Sequence, residues 1–358
     1  MSAVSRLLHR SFSTTAQSPS IKSLSEDLYK ERNLKKLVEK FKLHSSSDRF
    51  RTKNGIYEST VRRLASAKRF KWIEEILEHQ KQFRYDISKE NFSIRLVKLY
   101  GQSGMFENAK KVFDEMPERN CERSVKSVNA LLSACVNSGK LEEIEGIFRE
   151  MEMKWKVKPD VVSYNIVIKG LCEMGEWDKG LSMVDEMERS GVKPDLITFN
   201  TVLDKLYSNK RFDDGEKMWR RMVECGFLPN VRSYNARLAG LGDLKGVKKW
   251  YEELVRNECV PDRALFGVVL SCASDKGDYD WVFELCKEVF ERKRLVDARL
   301  LQNVVDGLMK DARMEEAKMV VQMGRSNDYC HYKLELPSQV VLITLITLFD
   351  PCILSLLD

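Results

Sequence analysis

Four Pro-Asp or Pro-Asn pairs stand at nearly fixed spacing: Pro159-Asp160, Pro194-Asp195, Pro229-Asn230 and Pro261-Asp262. The first two steps are 35 residues and the third is 32. The first three pairs lead into Ser163-Tyr164-Asn165, Thr198-Phe199-Asn200 and Ser233-Tyr234-Asn235, and Ser127-Val128-Asn129 keeps the register upstream. A period near 35 constrains the fold more than any other feature, because it means a stack of helical hairpins.

Residues 161–195 show why. Asp160 is a good N-cap, and the proline before it discourages an earlier turn. Val161, Tyr164, Val167, Ile168 and Leu171 then share one face at helical spacing. Gly175 breaks the pattern, Leu181, Val184 and Met187 mark a second helix, and Gly191 and Pro194 end it. One hairpin cannot bury both apolar stripes, but stacked hairpins can. The register gives units at 54–89, 90–124, 125–160, 161–195, 196–230, 231–262 and 263–297, with a partial one from Ala298. Leu24, Leu28, Leu34, Leu37, Val38 and Phe41 suggest one more. The expected fold is all-α, a right-handed α-solenoid of seven to eight helix-turn-helix repeats with a concave face. The unit 231–262 is three residues short around Gly240-Leu241-Gly242, close to one helical turn, which predicts a truncated first helix.

Chemistry of an enzymatic kind finds little support. Nine cysteines are scattered without a C-x-x-C and read as reduced core residues. His9, His44, His79 and His331 are far apart, so no metal site or cofactor is expected. There is no glycine-rich phosphate loop and no Ser-His-Asp order, and the pairs Glu142-Glu143 and Asp213-Asp214 read as polar helix faces. The first twenty residues carry Arg6, His9 and Arg10, several Ser and Thr, and no acid, the make-up of an organelle transit peptide over 1–20. A mitochondrial matrix address is the first reading, a plastid address or an ordinary tail the alternatives. The apolar run Val340–Phe349 is ten residues, too short to span a membrane, so no membrane partner is expected. Residues 331–358 read as a poorly ordered tail, with a cap, an interfacial segment and an assembly artefact all open.

The positive charge is polarised. Residues 30–71 hold fourteen Lys and Arg against four acids, a balance of +10 in a chain whose net charge is +6. Such a field suits sequence-independent phosphate docking. Lys35, Lys36, Arg62, Arg63, Lys68 and Arg69 are the candidate phosphate contacts; a solvated helix face is the alternative.

The runs VVSYNIVIKGLCEMGEWDKGLSMVDEMERSGVKPD and LITFNTVLDKLYSNKRFDDGEKMWRRMVECGFLPN resemble P-class pentatricopeptide repeats of plant organelles. The resemblance covers 54–323. It sets a solenoid at 90–330 behind basic, degenerate hairpins at 21–89. ERNLKKLVEKFK, RRLASAKRFKWIEEIL and FDEMPERN are similar to pentatricopeptide proteins of the small subunit of the plant mitochondrial ribosome. The resemblance implies that each repeat reads one base of single-stranded RNA with its fifth and last residues. Those pairs are Asn129 with Asp160, Asn165 with Asp195, Asn200 with Asn230, and Asn235 with Asp262. It further implies uridine for Asn/Asp and a pyrimidine for Asn/Asn, with Val162 and Ile197 clamping the base. Lys126 and Arg232 depart from that clamp, as do Ile94 with Ser124 and Gly267 with Asp297 from the pairs. Asparagine is a poor helix former, yet it recurs in the first turn, where its amide can donate to and accept from a base edge. The other reading is that Asn stitches adjacent repeats while Asp caps helices.

A basic end beside a short reading face suits structured RNA. The expectation is a mitochondrial RNA-binding protein, a structural component of the small ribosomal subunit contacting rRNA and neighbouring proteins. A free-standing factor for an organellar transcript and a protein-binding scaffold are the alternatives.

Overall fold

Each unit read from the period closes into two helices. The computed structural model describes residues 20–336. The transit peptide reading of the leader and the apolar run Val340–Phe349 lie outside them. The described residues form nine helical hairpins and no strand. The seven-to-eight count is short because residues 298–326 make a complete hairpin, Ala298–Lys310 and Met314–Ser326, rather than a partial one. No helix among the described residues is long and apolar enough to cross a membrane.

Corners repeat as strictly as caps. The turn between the two helices of a unit has a left-handed residue at 68, 104, 139, 175, 210, 277 and 312. Only Gly fills that conformation without strain, so Gly104, Gly139, Gly175 and Gly277 are the easy cases, while Lys68, Lys210 and Ala312 carry a local cost. The short unit 231–262 has no such residue at this corner. Its first helix, Val231–Gly240, has 10 residues where Leu196–Ser208 and Arg263–Asp275 have 13. The missing residues are thus the last turn and its left-handed corner, and Asp243 caps the second helix directly.

The chain divides into two compact units, the first ending at Gly170 and the second starting at Leu171, inside the helix Val161–Glu173. The change of character expected at residue 89 is not a boundary between them. Arg95 donates to the carbonyl of Arg51, and Lys81 pairs with Glu115 at 2.9 Å, so the basic hairpins join the repeats that follow. In this first unit the helix Glu90–Gln102 packs along Val125–Asn137. Gly101 lies so close to Ala134 that a Cβ there would be 2.5 Å from its Cα.

In the second unit, first helices again pack on first helices, Leu196–Ser208 on Val231–Gly240 and that on Arg263–Asp275. Residues 331–336 differ from the poorly ordered tail expected there: Tyr332 and Leu334 are buried, and the Tyr332 hydroxyl donates to the Val296 carbonyl at 3.0 Å while accepting from its N–H. Residues 331–336 therefore cover the last hairpin.

The short repeat also buries a charge. Arg237 is 4% exposed, with its guanidinium 3.2 Å from the Trp250 ring centre and 4.3 Å from that of Trp219. It donates to Glu216, while its Nη1 is buried without a partner. Burial pulls its pKa below the ordinary arginine value. Replacing it with methionine keeps the bulk and removes the orphan donor, so Arg237→Met is expected to stay within about 1 kcal/mol of the native stability. Arg237→Ala leaves a cavity between the rings and is expected to cost roughly 3 kcal/mol. Urea unfolding followed by tryptophan fluorescence distinguishes the two; equal losses would contradict this account.

Candidate nucleic-acid interface

The reading positions sit where one repeat meets the next. Asp160, Asp195, Asn230 and Asp262 each end a repeat and lie immediately before the first helix of the next; the last three are the N-caps of those helices. In each, an oxygen accepts from the backbone N–H three residues on, at 2.9 Å from Ser163, 2.7 Å from Thr198, 3.1 Å from Ser233 and 2.9 Å from Leu265. The backbone N–H of Asp160, Asp195 and Asn230 returns a bond to the Ser or Thr hydroxyl, closing a capping box.

The asparagine of the preceding repeat joins this box. Asn129 Nδ2 donates to Asp160 Oδ1 at 3.0 Å, and the Ser163 hydroxyl donates to Asn129 Oδ1 at 2.6 Å. Asn200 Nδ2 donates to Asn230 Oδ1 at 3.3 Å, and the Ser233 hydroxyl to Asn200 Oδ1 at 2.7 Å. The stitching expected of asparagine and the capping expected of aspartate are thus joined in one geometry. The asparagine stitches repeats, and its partner is the very residue with which it would read a base. Burial works against the charge of Asp160, but hydrogen bonds from Asn129, Ser163 and the backbone hold its carboxyl below the ordinary value. Its charge therefore persists at neutral pH.

The third described set is incomplete. Asn235 Nδ2 reaches both Asp262 oxygens, at 3.2 and 3.1 Å, but position three of the next repeat is Leu265, which has no hydroxyl. Asn235 Oδ1 is buried with no donor. An unsatisfied buried acceptor costs about 1–3 kcal/mol. Asn165 and Asp195 fall on opposite sides of the division between the two units.

Beside these sets stand the second residues of the repeats. Val162 is 52% and Ile197 58% exposed, high for aliphatic side chains, and Lys126 and Arg232 are exposed as well. The unit 90–124 is closed by contrast. Ile94 is buried, and the Ser124 hydroxyl donates to Glu90 at 2.6 Å.

The basic hairpins split into committed and uncommitted cations. Lys40 pairs with Asp27 and Glu31, Lys42 with Glu75, and the buried Arg51 with Asp86 and Asp48. Arg63 departs from the phosphate role given to it. It donates to the carbonyls of Leu28 and Glu31, satisfying the C-terminal end of the helix Ile21–Lys30. Lys35, Lys36, Arg62, Lys68 and Arg69 are exposed and form no ion pair among the described residues, although Lys36 is close enough to Glu31 to help hold its carboxyl below the ordinary value, after Lys40 and the Asn33 N–H. Arg69 leans on Trp72, 5.3 Å from the ring centre. Lys35 and Lys36 occupy the first turn of Leu34–His44, the end of a helix that favours anions. Their placement there makes helix stability a poor reason for them.

The PPR repeat family matches residues 123–173, 159–208 and 194–243, and the PPR repeat matches 95–121. Residues 95–121 and 123–243 carry PPR repeats. Among similar proteins of Arabidopsis thaliana are the small ribosomal subunit proteins mS79, 52% identical over 174 residues, and mS78, 52% identical over 179. These matches span 49% and 50% of this chain but only 43% and 45% of those proteins, so the chain matches less than half the length of either. The crystal structure of the pentatricopeptide repeat protein PPR10 in complex with an 18-nt psaJ RNA element superposes with a TM-score of 0.50 at 19% identity, over 87% of this chain and 48% of that one. That likeness concerns the fold.

Ser163 and Ser233 take part in both the cap and the reading pair, and the Asp-x-x-Ser and Asn-x-x-Ser spacings of a capping box were the available signal. Glu90, closing the position of Ser124, had no such signal.

Proposed function

We propose that this chain is an RNA-binding PPR protein of the mitochondrial matrix, built into the small ribosomal subunit and contacting rRNA and neighbouring proteins there. The observation that carries the reading is the imbalance between its two RNA-facing features. Cations outside any ion pair crowd the first hairpins, whereas the intact reading sets are few and one lacks its hydroxyl. Phosphate contacts supply affinity without sequence, which fits an RNA whose address is set by assembly rather than by base reading. The similarity to mS78 and mS79 supports the same setting. Leu228, Val260 and Leu295, exposed at 83%, 48% and 47% in matching places of consecutive repeats, offer apolar contact to a protein neighbour. In this reading the chain binds and does not catalyse.

The expected result is cofractionation with the small subunit when mitochondrial extract is sedimented through sucrose with magnesium, and release on ribonuclease treatment. Sedimentation only as a free protein that still crosslinks to RNA would favour the alternative, a transcript factor reading pyrimidines through Asn129, Asn165, Asn200 and Asn235. Absence of any RNA crosslink would favour a protein-binding scaffold.

A further inference from the structure

An asparagine amide can be turned two ways, and which edge meets a ligand depends on what holds the other edge. In two PPR repeats the hold is complete. Asp160 is ionised and can only accept, so Asn129 must turn Nδ2 toward it. Asn230 Oδ1 is fixed by the N–H of Ser233, so Asn200 must do the same. The hydroxyls of Ser163 and Ser233 then donate to the remaining amide oxygens at 2.6 and 2.7 Å. Both hydroxyls belong to the repeat after the one whose base is read, and both serines are fully buried. Asn235, with Leu265 beneath it, keeps its contact to Asp262 but has nothing on Oδ1.

We infer that Ser163 and Ser233 are positioning residues for base discrimination, each locking the amide of the preceding repeat, and that Leu265 leaves Asn235 the one relaxed reader among these three. The inference rests on the RNA-reading role of the asparagines. A locked amide presents one N–H and one lone pair in set directions, beside the carboxylate of Asp160 or the Nδ2 of Asn230. An amide without its third bond rotates and accepts more than one base edge. The third position of a repeat thereby governs the reading of its predecessor, although it is too buried to touch RNA.

The test uses the full chain with oligo(U), oligo(C) and oligo(A) of equal length at fixed salt. Ser163→Ala with Ser233→Ala is expected to lower the preference for the pyrimidine probes over oligo(A) about fivefold, the worth of one hydrogen bond. A merely structural serine would change all three affinities together. An unchanged ratio in the alanine variant overturns the inference. If the alanine variant fails to fold by circular dichroism, Leu265→Ser decides: it supplies under Asn235 the hydroxyl that Ser163 and Ser233 supply elsewhere and should raise the ratio, and no rise rejects the idea. Failure of the native chain to bind any probe, or no effect of Asn129→Ala with Asn200→Ala, would instead remove the RNA-reading role itself.

Discussion

Replacing Lys35, Lys36, Arg62 and Lys68 together by glutamine is expected to lower RNA affinity roughly a hundredfold near physiological salt, if each contacts one phosphate. The slope of log affinity against log salt should flatten by about 3, because each phosphate contact on a single strand contributes about 0.7. These four are chosen because they are exposed and form no ion pair among the described residues. Arg63 is left out because its guanidinium holds the carbonyls of Leu28 and Glu31, so its loss would loosen the hairpin instead of the RNA. Replacing Asn129 and Asn200 should do the opposite, shifting base preference while leaving the salt slope alone. Filter binding across a salt series measures both. A slope unmoved by the four glutamines would show that the cationic end is solvated surface.

The period, the caps and the corners were legible because each is written within one repeat. Asp160, Asn230 and Asp262 accept from their N–H groups three residues on, as their sequence places demand. The shortened helix Val231–Gly240 followed from counting. What was not legible depends on groups far apart in the chain. Arg51 and Arg63 entered the charge count as equals of Lys35, yet one is buried against Asp86 and the other caps a helix. Arg51 has Asp48 and the Ser45 and Ser46 carbonyls close in sequence, but Asp86 is 35 residues away and the partners of Arg63 are 32 and 35 away, where no local pattern marks them. The lock on Asn129 escaped for the same reason: it joins three side chains from two repeats. Composition overstated the basic end, and periodicity understated how much the asparagines owe to their neighbours.

Gly101→Ala is expected to be the most damaging single methyl in the first unit, costing about 3 kcal/mol. The backbone at Gly101 is helical, so the cost does not come from conformation. It comes from Ala134, whose Cα and Cβ would both lie 2.5 Å from the new Cβ. A side chain could move aside, but Ala134 Cα belongs to the middle of Val125–Asn137, whose start is fixed by the Ser124–Ser127 capping box. The two helices must therefore separate, opening the layer in which Leu96, Val97, Leu131 and Cys135 are buried. Two other glycines of the same unit provide the controls. Gly104, at φ +74 in open space, should lose only about 1 kcal/mol on change to alanine, from left-handed strain. Gly146, inside Ile144–Met153 with nothing within 4 Å of its Cβ site, should gain about 0.5–1 kcal/mol from the same change. Removing the Ala134 methyl with Ala134→Gly should rescue Gly101→Ala only in part, since the Cα clash remains. Thermal unfolding of the four variants ranks them. If Gly101→Ala melts no lower than Gly104→Ala, the first helices do not approach as closely as this packing requires, and the stacking of repeats on which the reading sets depend is wrong at its base.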